Sequence, residues 1–358
     1  MPSPAWRIPP RLITLAACAT FLTGGFITAV GIHLPYAVQR PGPTLDTLGA
    51  LDGEELITIS GIDTYPTDGE LRLTTVSVVG GPGYPVRASD VLRAWTLERE
   101  FVLPVESVFN PEVSREELDE QASMQMTSSQ TNATVSALES LGYEVPQTLT
   151  IAGAGPGTGA EGVVEAGDLL LSIEAPEQGL VEVEAFSDLS AVLRETVPGA
   201  VVTLGLEREG EAMDVEIVTG EGPHGALLGI YIDPEVEIPY VIDFDIEDIG
   251  GPSAGLMFSL AITDLLTEED LAAGQHVAGT GTVDLAGQVG AIGGIVQKMH
   301  GSVRDGAEWF LAPAGNCADV LGNIPDGLEV VAVDTLTEAK EALLDVTAGR
   351  TDELPRCE

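Results

Sequence analysis

The sequence predicts a multidomain chain of mixed α/β (α+β) class, preceded by one N-terminal transmembrane helix. Three observations predict it: a long uncharged apolar run near the start, strand-like segments alternating with helical ones after it, and an apolar content of 44% in 358 residues. A chain of this length can form two or three domains, and this apolar content is enough for a sizeable core.

The charge of the chain excludes two classes of protein. It has 15 basic and 57 acidic residues, a net charge of −42, and such a surface repels nucleic acid. Only two lysines are present, Lys298 and Lys340, and neither is followed by Ser or Thr. A phosphate-binding P-loop needs a lysine followed by Ser or Thr, so we expect no ATP among the partners. The charge likewise predicts no nucleic acid among them.

The apolar run at residues 12–38 has no acid and no permanent base, and it exceeds the ~20 residues that span a bilayer. Arg7 and Arg11 precede it, which predicts a cytoplasmic N-terminus at residues 1–11 and an extracytoplasmic remainder. The predicted localisation is the cell membrane, with a single pass. A cleaved signal peptide and a lipoprotein box ending at Cys18 are alternatives, and the length of the run favours a retained anchor.

Residues 39–146 are predicted to be a linker followed by an α+β region. The Pro/Gly-rich stretch "RPGPTLDTLGALDG" reads as the linker, and two alternating segments at residues 54–80 read as strands. A long helix should follow Ser114, because Glu117 completes a capping box, and Gly142 should end it. The function of this region is not indicated.

Residues 147–222 have the order strand, glycine-rich loop, strand, helix and hairpin, with the hairpin turning at Glu209 and Gly210. The segments "AGDLLLSI" and "PGAVVTLGLEREGE" resemble a bacterial PDZ domain, a module that binds extended peptide ends by strand addition. The sequence departs from that pattern at Glu174 and Ala175, where an Asx-Gly turn is usual. The resemblance implies a peptide-binding domain.

The third unit, residues 226–350, alternates strands and helices and contains "GGPSAGLMFSLAI", with Ser253 at a helix start. Such a serine is ordinarily an N-cap. The same position also offers unpaired helix amides and the positive end of the helix dipole, which stabilise an oxyanion. Gly250 and Gly251 would let a substrate backbone approach closely and are the expected oxyanion region.

Lys298 lies in the apolar, glycine-rich segment "GAIGGIVQKMHGSVRDGA". Burial lowers the pKa of a lysine, and a neutral amine can take the proton of a serine, which arginine cannot do. The alternative is a lysine whose stem packs on the protein while its amine reaches solvent.

Four scattered histidines predict no metal site, and no cofactor is expected.

These two motifs together resemble the proteolytic domain of Lon proteases. The resemblance implies that Ser253 is the nucleophile, that Lys298 is the general base, and that Thr280 orients the lysine amine. One departure is visible: Gly250 occupies the place where Lon enzymes commonly have Asp, and Asp248 lies two positions earlier. The resemblance therefore implies a Lon-type fold for residues 226–350 with a Ser–Lys dyad.

The whole chain resembles the membrane-anchored, PDZ-containing Lon-like serine proteases of bacteria. That resemblance implies an ATP-independent endopeptidase that cleaves unfolded or extended exported and membrane polypeptides and associates as a homo-oligomeric ring. An alternative is a membrane-tethered peptide-binding adaptor whose Lon-like domain is inactive. Self-processing, or a single dedicated substrate, also stays open.

Cys317 and Cys357 both lie in the part predicted to be exported. An oxidising exterior permits a disulfide between them, which would hold the C-terminal tail, residues 351–358, to the last domain. Two free thiols are the alternative, because spacing alone does not fix the geometry of a disulfide.

Overall fold

The computed structural model describes residues 9–51, 53–81, 85–97, 99–110, 113–246 and 249–357. The helices in this part of the chain are α1 (Pro10–Gly31), α2 (Ala88–Ala94), α3 (Val105–Val108), α4 (Arg115–Ser140), α5 (Phe186–Glu195), α6 (Gly255–Leu265), α7 (Ile295–Arg304), α8 (Cys317–Val320) and α9 (Leu336–Thr347). Two short 3₁₀ helices occupy Ala314–Asn316 and Thr351–Glu353.

The strands fall into two large sheets and several short pairs. In chain order they are β1 (His33–Leu34), β2 (Tyr36–Asp46), β3 (Ala50–Leu51), β4 (Glu54–Glu55), β5 (Ile57–Ser60), β6 (Glu70–Val79), β7 (Val86–Arg87), β8 (Phe101–Pro104), β9 (Gln147–Ala154), β10 (Leu169–Ala175), β11 (Gly179–Glu182), β12 (Val201–Arg208), β13 (Glu211–Val218), β14 (Gly220–Gly222), β15 (Gly225–Leu227), β16 (Ile230–Val236), β17 (Val241–Phe244), β18 (His276–Gly279), β19 (Thr282–Val283), β20 (Val289–Gly290), β21 (Trp309–Pro313) and β22 (Glu329–Val333).

The larger domain is built on a six-stranded sheet of order β22-β21-β18-β6-β2-β8. Its two halves come from opposite ends of the chain, because β6 pairs in parallel with β18 and antiparallel with β2. Strand β6 and most of β2 lie within residues 39–146 and belong to this sheet, and β2 includes the first seven residues of the stretch read as a linker. The alternation that identifies strands along the chain does not reveal which strands pair across 200 residues.

A smaller sheet of order β13-β12-β10-β9-β16, with β11 on β10, forms the core of the second domain. Its buried side chains, with those of α5, make a separate hydrophobic cluster that includes Leu149, Ile173 and Leu204. β16 pairs with β9 along Gln147–Ala154, so this sheet extends past residue 222, where the sequence analysis placed the boundary. This domain is inserted between the two halves of the larger one.

The prediction of a transmembrane helix at residues 12–38 is wrong. Among the described residues, no helix combines the length and the apolar composition that a membrane crossing needs. The apolar run is divided: α1 ends at Gly31, and the run continues in β1 and in β2, where Ala37 and Val38 are buried in the sheet. The single-pass arrangement, the cytoplasmic N-terminus and the cell-membrane localisation were inferred from that helix and are corrected with it.

Local signals in the sequence were read correctly at two places. The side chain of Ser114 accepts a hydrogen bond from the Glu117 amide, Glu117 returns one to the Ser114 amide, and α4 begins there. Gly142, at φ 83°, follows its end. The hairpin β12–β13 turns at Glu209 and Gly210, both with positive φ, as hairpin turns require.

Candidate functional site

Ser253 lies in the turn before α6, the most deeply buried helix of the larger domain. Ten residues of α6, from Gly255 to Asp264, are buried, which fixes the helix in the core. The backbone carbonyl of Ser253 accepts hydrogen bonds from the Gly281 amide and the Thr280 hydroxyl, both at 3.0 Å. The serine is half-buried. Its hydroxyl thus stands on a rigid support at the border between core and solvent.

Lys298 reaches this serine from α7. Its ammonium nitrogen Nζ donates to Ser253 Oγ at 2.7 Å and to Thr280 Oγ1 at 2.8 Å. The residue is only 3% exposed, and Thr280 is fully buried. The structure therefore brings together the three side chains named from the sequence, and it excludes the alternative in which the lysine amine reaches solvent.

Burial controls the charge of Lys298. Loss of water around the ammonium lowers the pKa of Lys298 from 10.5 to about 7. Near pH 7 the neutral amine is then populated beside the ammonium form. A neutral amine beside a serine hydroxyl is the pairing that a serine–lysine nucleophile requires.

Gly294, the second glycine of the pair before α7, has a packing reason. Gly294 has a left-handed backbone, with φ at 72°, and a Cβ there would lie 2.7 Å from a methyl of Val76 on β6. A larger residue would separate α7 from β6. Since Lys298 lies on the first turns of α7, this close contact positions its amine.

An open cleft of ≈ 780 Å³ contains Ser253 and Lys298. Its apolar wall includes Val76, Met126 and Ile292. One side of the cleft is formed by β6. Its pairing with β18 begins at Glu70 and ends at Leu73. Among the described residues, no strand covers that edge of β6 beyond this point, so backbone groups of residues 75–78 face the cleft.

The two glycines before the serine, Gly250 and Gly251, make different contacts with α4. Gly250 lines the cleft and lies against α4, where a Cβ would meet the side chain of Ala122 at 2.6 Å. The amide of Gly251 donates to the Ala122 carbonyl at 2.9 Å, so it is not free to hold an oxyanion here. A larger side chain at position 250 would collide with Ala122. Asp248 lies outside the described residues.

Helix α4, whose role the sequence does not indicate, supports the site from behind. Ser129 Oγ donates to the Pro252 carbonyl at 3.0 Å, directly before the serine. Asn132 Nδ2 donates to the Val283 carbonyl at 3.1 Å, on the strand that follows Gly281. Small polar residues one helical turn apart were the only signal, and it is too common to identify this role.

A second element missed by the sequence analysis holds the far wall. The Asn316 side chain accepts from the Ile292 amide at 2.8 Å and donates to the Ile292 carbonyl at 2.9 Å. Asn316 is followed by Cys317, which is joined to Cys357 by a disulfide. The C-terminal tail is thus connected to the segment that holds the cleft.

Among the described ranges, no group of three or more His, Cys, Asp or Glu residues is arranged to hold a metal ion. The groups that meet at Ser253 are an amine, two hydroxyls and backbone atoms. The arrangement can activate an oxygen nucleophile by proton transfer to nitrogen.

Comparison with known proteins finds a match for the part of the chain that contains Ser253 and Lys298. Residues 247–345 match the family model of the Lon protease (S16) C-terminal proteolytic domain. The Lon protease of Campylobacter jejuni is 32% identical over 140 residues, which are 36% of this chain and 17% of that protein. The prediction of a Lon-type proteolytic domain is confirmed to the extent of this match over residues 247–345.

Two other relatives agree with this result. The Lon protease of Xanthomonas oryzae is 27% identical over 187 residues, 51% of this chain and 20% of that protein. The archaeal Lon protease of Methanocaldococcus jannaschii is 36% identical over 98 residues, 27% of this chain and 14% of that protein. The chain thus spans a fifth or less of the length of these relatives.

Among solved structures, the PDZ domain of the SdrC-like protein from Listeria monocytogenes is similar to part of this chain. The two are 14% identical, with a TM-score of 0.21. The aligned part covers 24% of this chain and 85% of that domain. The description of the inserted domain therefore stands on its own strand order.

Proposed function

We propose that the protein is a serine endopeptidase in which Ser253 is the nucleophile and Lys298 the general base, and that it acts without ATP. The observation that carries the proposal is the 2.7 Å contact between Lys298 Nζ and Ser253 Oγ, made by a lysine that is almost fully buried. The match of residues 247–345 to a proteolytic domain supports a peptide bond as the target.

The reaction proceeds in two halves. The neutral amine of Lys298 takes the hydroxyl proton as Ser253 Oγ attacks the peptide carbonyl carbon, and the ammonium then gives that proton to the leaving amine. An ester between Ser253 and the acyl part of the substrate remains. Lys298 next takes a proton from a water that attacks the ester, and returns it to Ser253 Oγ as the acid is released.

The oxyanion of each tetrahedral intermediate develops beside the first turn of α6. The first amides of a helix have no partner inside it, and the helix dipole places positive charge at that end. With the amides of Gly251 and Leu256 engaged by the carbonyls of Ala122 and Gly281, we assign the oxyanion to the amides of Ser253 and Ala254 at this helix terminus. Gly250 is kept as a cleft-lining position.

Substrates bind in an extended form along the free edge of β6. Residues 75–78 offer backbone groups that an added strand can pair with, and apolar side chains line the cleft. Compact folded proteins do not present such strands. The 358 residues contain no P-loop lysine, so unfolded or loosely structured polypeptides are the proposed substrates.

Two further parts of the proposal concern the rest of the chain. The inserted domain binds extended peptide ends, and the protein assembles as a homo-oligomer. The first part rests on its strand order, with β16 at the sheet edge. The second rests on the resemblance to Lon proteolytic domains, and sedimentation velocity of the full chain tests it.

A serine-reactive phosphonate probe tests the nucleophile without knowledge of the substrate. The full chain is treated at pH 8, and the labelled residue is identified by peptide mass spectrometry. Labelling of Ser253 that is lost in Lys298→Ala supports the proposal. Equal labelling of parent and Lys298→Ala, or labelling of another serine alone, contradicts it and favours an inactive, peptide-binding adaptor.

A further inference from the structure

A cavity of ≈ 340 Å³ adjoins the catalytic cleft beside helix α4. Pro252 and Thr282 line both spaces, and Pro252 directly precedes Ser253. None of the described residues that line this cavity belongs to β6, whereas β6 forms one side of the cleft. A polypeptide that lies along β6 and passes Ser253 can therefore continue into this space, which we call the α4 pocket.

A row of polar side chains forms the wall that α4 contributes to the α4 pocket. Their spacing of i, i+4, i+7 and i+11 places four of them on one face of the helix: Gln121, Gln125, Ser128 and Asn132. The row is about 16 Å long, which equals about five residues of extended chain. Gln121, Gln125 and Ser128 are exposed, and their side chains make no hydrogen bond within the described part of the chain. They are available to a ligand.

The α4 pocket is uncharged, in a protein with a large excess of acid. The chain has 57 acidic residues, yet positions 121–138 contain no Asp, Glu, Lys or Arg. In the catalytic cleft, Lys298 is the only charged residue among the described residues that line it. A substrate that occupies both spaces therefore meets no carboxylate from these lining residues.

Side-chain amides suit an extended peptide backbone. Each carboxamide has both donors and an acceptor, so it can pair with backbone N–H and C=O groups whatever side chains the substrate carries. Met124 also lines the α4 pocket and is 62% exposed. Its unbranched thioether adapts to neighbours of different shape. The polypeptide backbone is thus the chemistry that this pocket recognises.

The position of Lys298 indicates which half of the substrate enters the α4 pocket. In the proposed reaction its amine protonates the leaving nitrogen, so the leaving half lies on the side of Lys298 Nζ. This nitrogen contacts Thr280 Oγ1 at 2.8 Å, and the chain runs from Thr280 directly to Thr282, which lines the pocket. With the acyl half on β6, the leaving half lies beside Thr282.

We propose that the α4 pocket binds the leaving half of the substrate, where Gln121 and Gln125 hold about five residues of extended polypeptide by their backbone groups. An uncharged residue at position 125 keeps this site indifferent to the charge of the substrate. The place of the pocket in the reaction rests on the proposed peptidase function, whereas binding of an unfolded polypeptide there does not.

Binding is tested by thiol protection in the full chain carrying Ser253→Ala and Cys18→Ser, which prevents cleavage and removes the free thiol. Gln125→Cys places a thiol in the α4 pocket. Ser123→Cys is the matched control, because Ser123 is exposed on the same helix and does not line the pocket. Carboxymethylated casein at about four times its Kd should slow the reaction of position 125 with a maleimide about fivefold, by mass action, and leave position 123 unchanged. Equal protection of both positions, or of neither, overturns the site.

A second copy of this chain is the competing occupant of the α4 pocket. Protection of position 125 without casein, increasing with protein concentration, would show that copies of the chain cover the pocket and would overturn its role as a substrate site. Protection by casein at constant protein concentration supports that role.

Specificity is tested with the parent chain, Gln125→Glu and the control Ser123→Glu on a proteome-derived peptide mixture, with cleavage sites read by mass spectrometry. Gln125→Glu should enrich Lys and Arg about two- to fivefold at positions after the scissile bond, as an exposed ion pair predicts. Ser123→Glu should keep the parent's profile. A profile of Gln125→Glu equal to that of the parent, or enrichment before the scissile bond, overturns the assignment to the leaving half.

The two experiments separate the pocket from the peptidase. If casein protects position 125 but the parent chain cleaves no peptide, the peptidase proposal is contradicted and the α4 pocket stands as a polypeptide-binding site. If the parent chain cleaves peptides but position 125 is unprotected, the pocket is overturned and the peptidase stands. Thermal unfolding curves confirm that each variant is folded.

Discussion

The Lys298 ammonium nitrogen lies 2.7 Å from the hydroxyl oxygen of Ser253, although 45 positions separate the two residues in the chain. Each residue is set by a different helix, and Thr280 links them by contacting the lysine amine and the serine carbonyl. Burial lowers the pKa of the Lys298 amine to about 7. In the proposed peptidase, this amine accepts the proton of the serine hydroxyl.

The first prediction concerns pH. Only the neutral amine accepts the serine proton, and the pKa of Lys298 is lowered to about 7 by burial. We expect kcat/KM to rise about tenfold per pH unit below pH 7 and to level off above it. Hydrolysis of a labelled unfolded protein from pH 5 to 9 measures this. A profile that is flat between pH 5 and 9 would contradict the role of Lys298.

The second prediction concerns Thr280. Thr280→Val keeps the shape but removes the hydroxyl that accepts from Lys298 and donates to Ser253. We expect kcat to fall about 10- to 100-fold with KM nearly unchanged, because the hydroxyl orients the amine and does not bind substrate. Thr280→Ser retains the hydroxyl and should keep most of the activity. Equal kinetics in Thr280→Val and the parent would show that the hydroxyl is dispensable.

The third prediction concerns Asp264, which lies on the same helix as the site. Its Oδ1 accepts from the Leu271 amide, its Oδ2 has no partner among the described residues, and burial raises its pKa to about 7. The folded state therefore favours the protonated acid, and stability decreases as pH rises from about 4 to 7. Above pH 7 the ionised carboxylate is a constant penalty.

Asp264→Asn keeps the acceptor and removes the charge. The free energy of unfolding should increase by about 2–4 kcal/mol at pH 8 and change little at pH 4, since one pKa unit corresponds to about 1.4 kcal/mol. Urea unfolding at both pH values measures the difference. A variant that is less stable than the parent at pH 8 would contradict this account of Asp264.

The fourth prediction concerns the disulfide between Cys317 and Cys357, which closes a separation of 40 residues. Replacing both cysteines with serine should lower the free energy of unfolding by about 2–4 kcal/mol. Cys18→Ser is the matched control, because Cys18 is an exposed free thiol. If the double variant and the control unfold at the same urea concentration, the disulfide makes no contribution to stability.

Local structure was predictable from the sequence wherever neighbouring residues determine it. The capping box at Ser114, the hairpin turn at Glu209–Gly210 and the helix after Ser253 all depend on short-range hydrogen bonds and backbone preferences. Ser253, Lys298 and Thr280 were identified by motif. Their contacts join residues 18 to 45 positions apart, which the sequence alone does not reveal.

Long-range organisation was not predictable in this way. Residues 39–146 carry strand and helix signals, but nothing local shows that β2 and β6 complete the sheet behind the site or that α4 holds the serine turn. The apolar run near the start was read as one span because hydropathy does not register where a helix gives way to a strand. In the structure that change occurs between Gly31 and His33.

The most direct test of the central claim is hydrolysis of fluorescently labelled casein by the purified full chain, without nucleotide, beside Ser253→Ala and Lys298→Ala. We predict steady turnover by the parent and a loss of at least about 10³-fold in each variant, because neither half of the pair works alone. The folded state of each variant is checked by circular dichroism. Turnover by the variants equal to that of the parent, or no turnover by any of the three at pH 8, would contradict a Ser253–Lys298 peptidase.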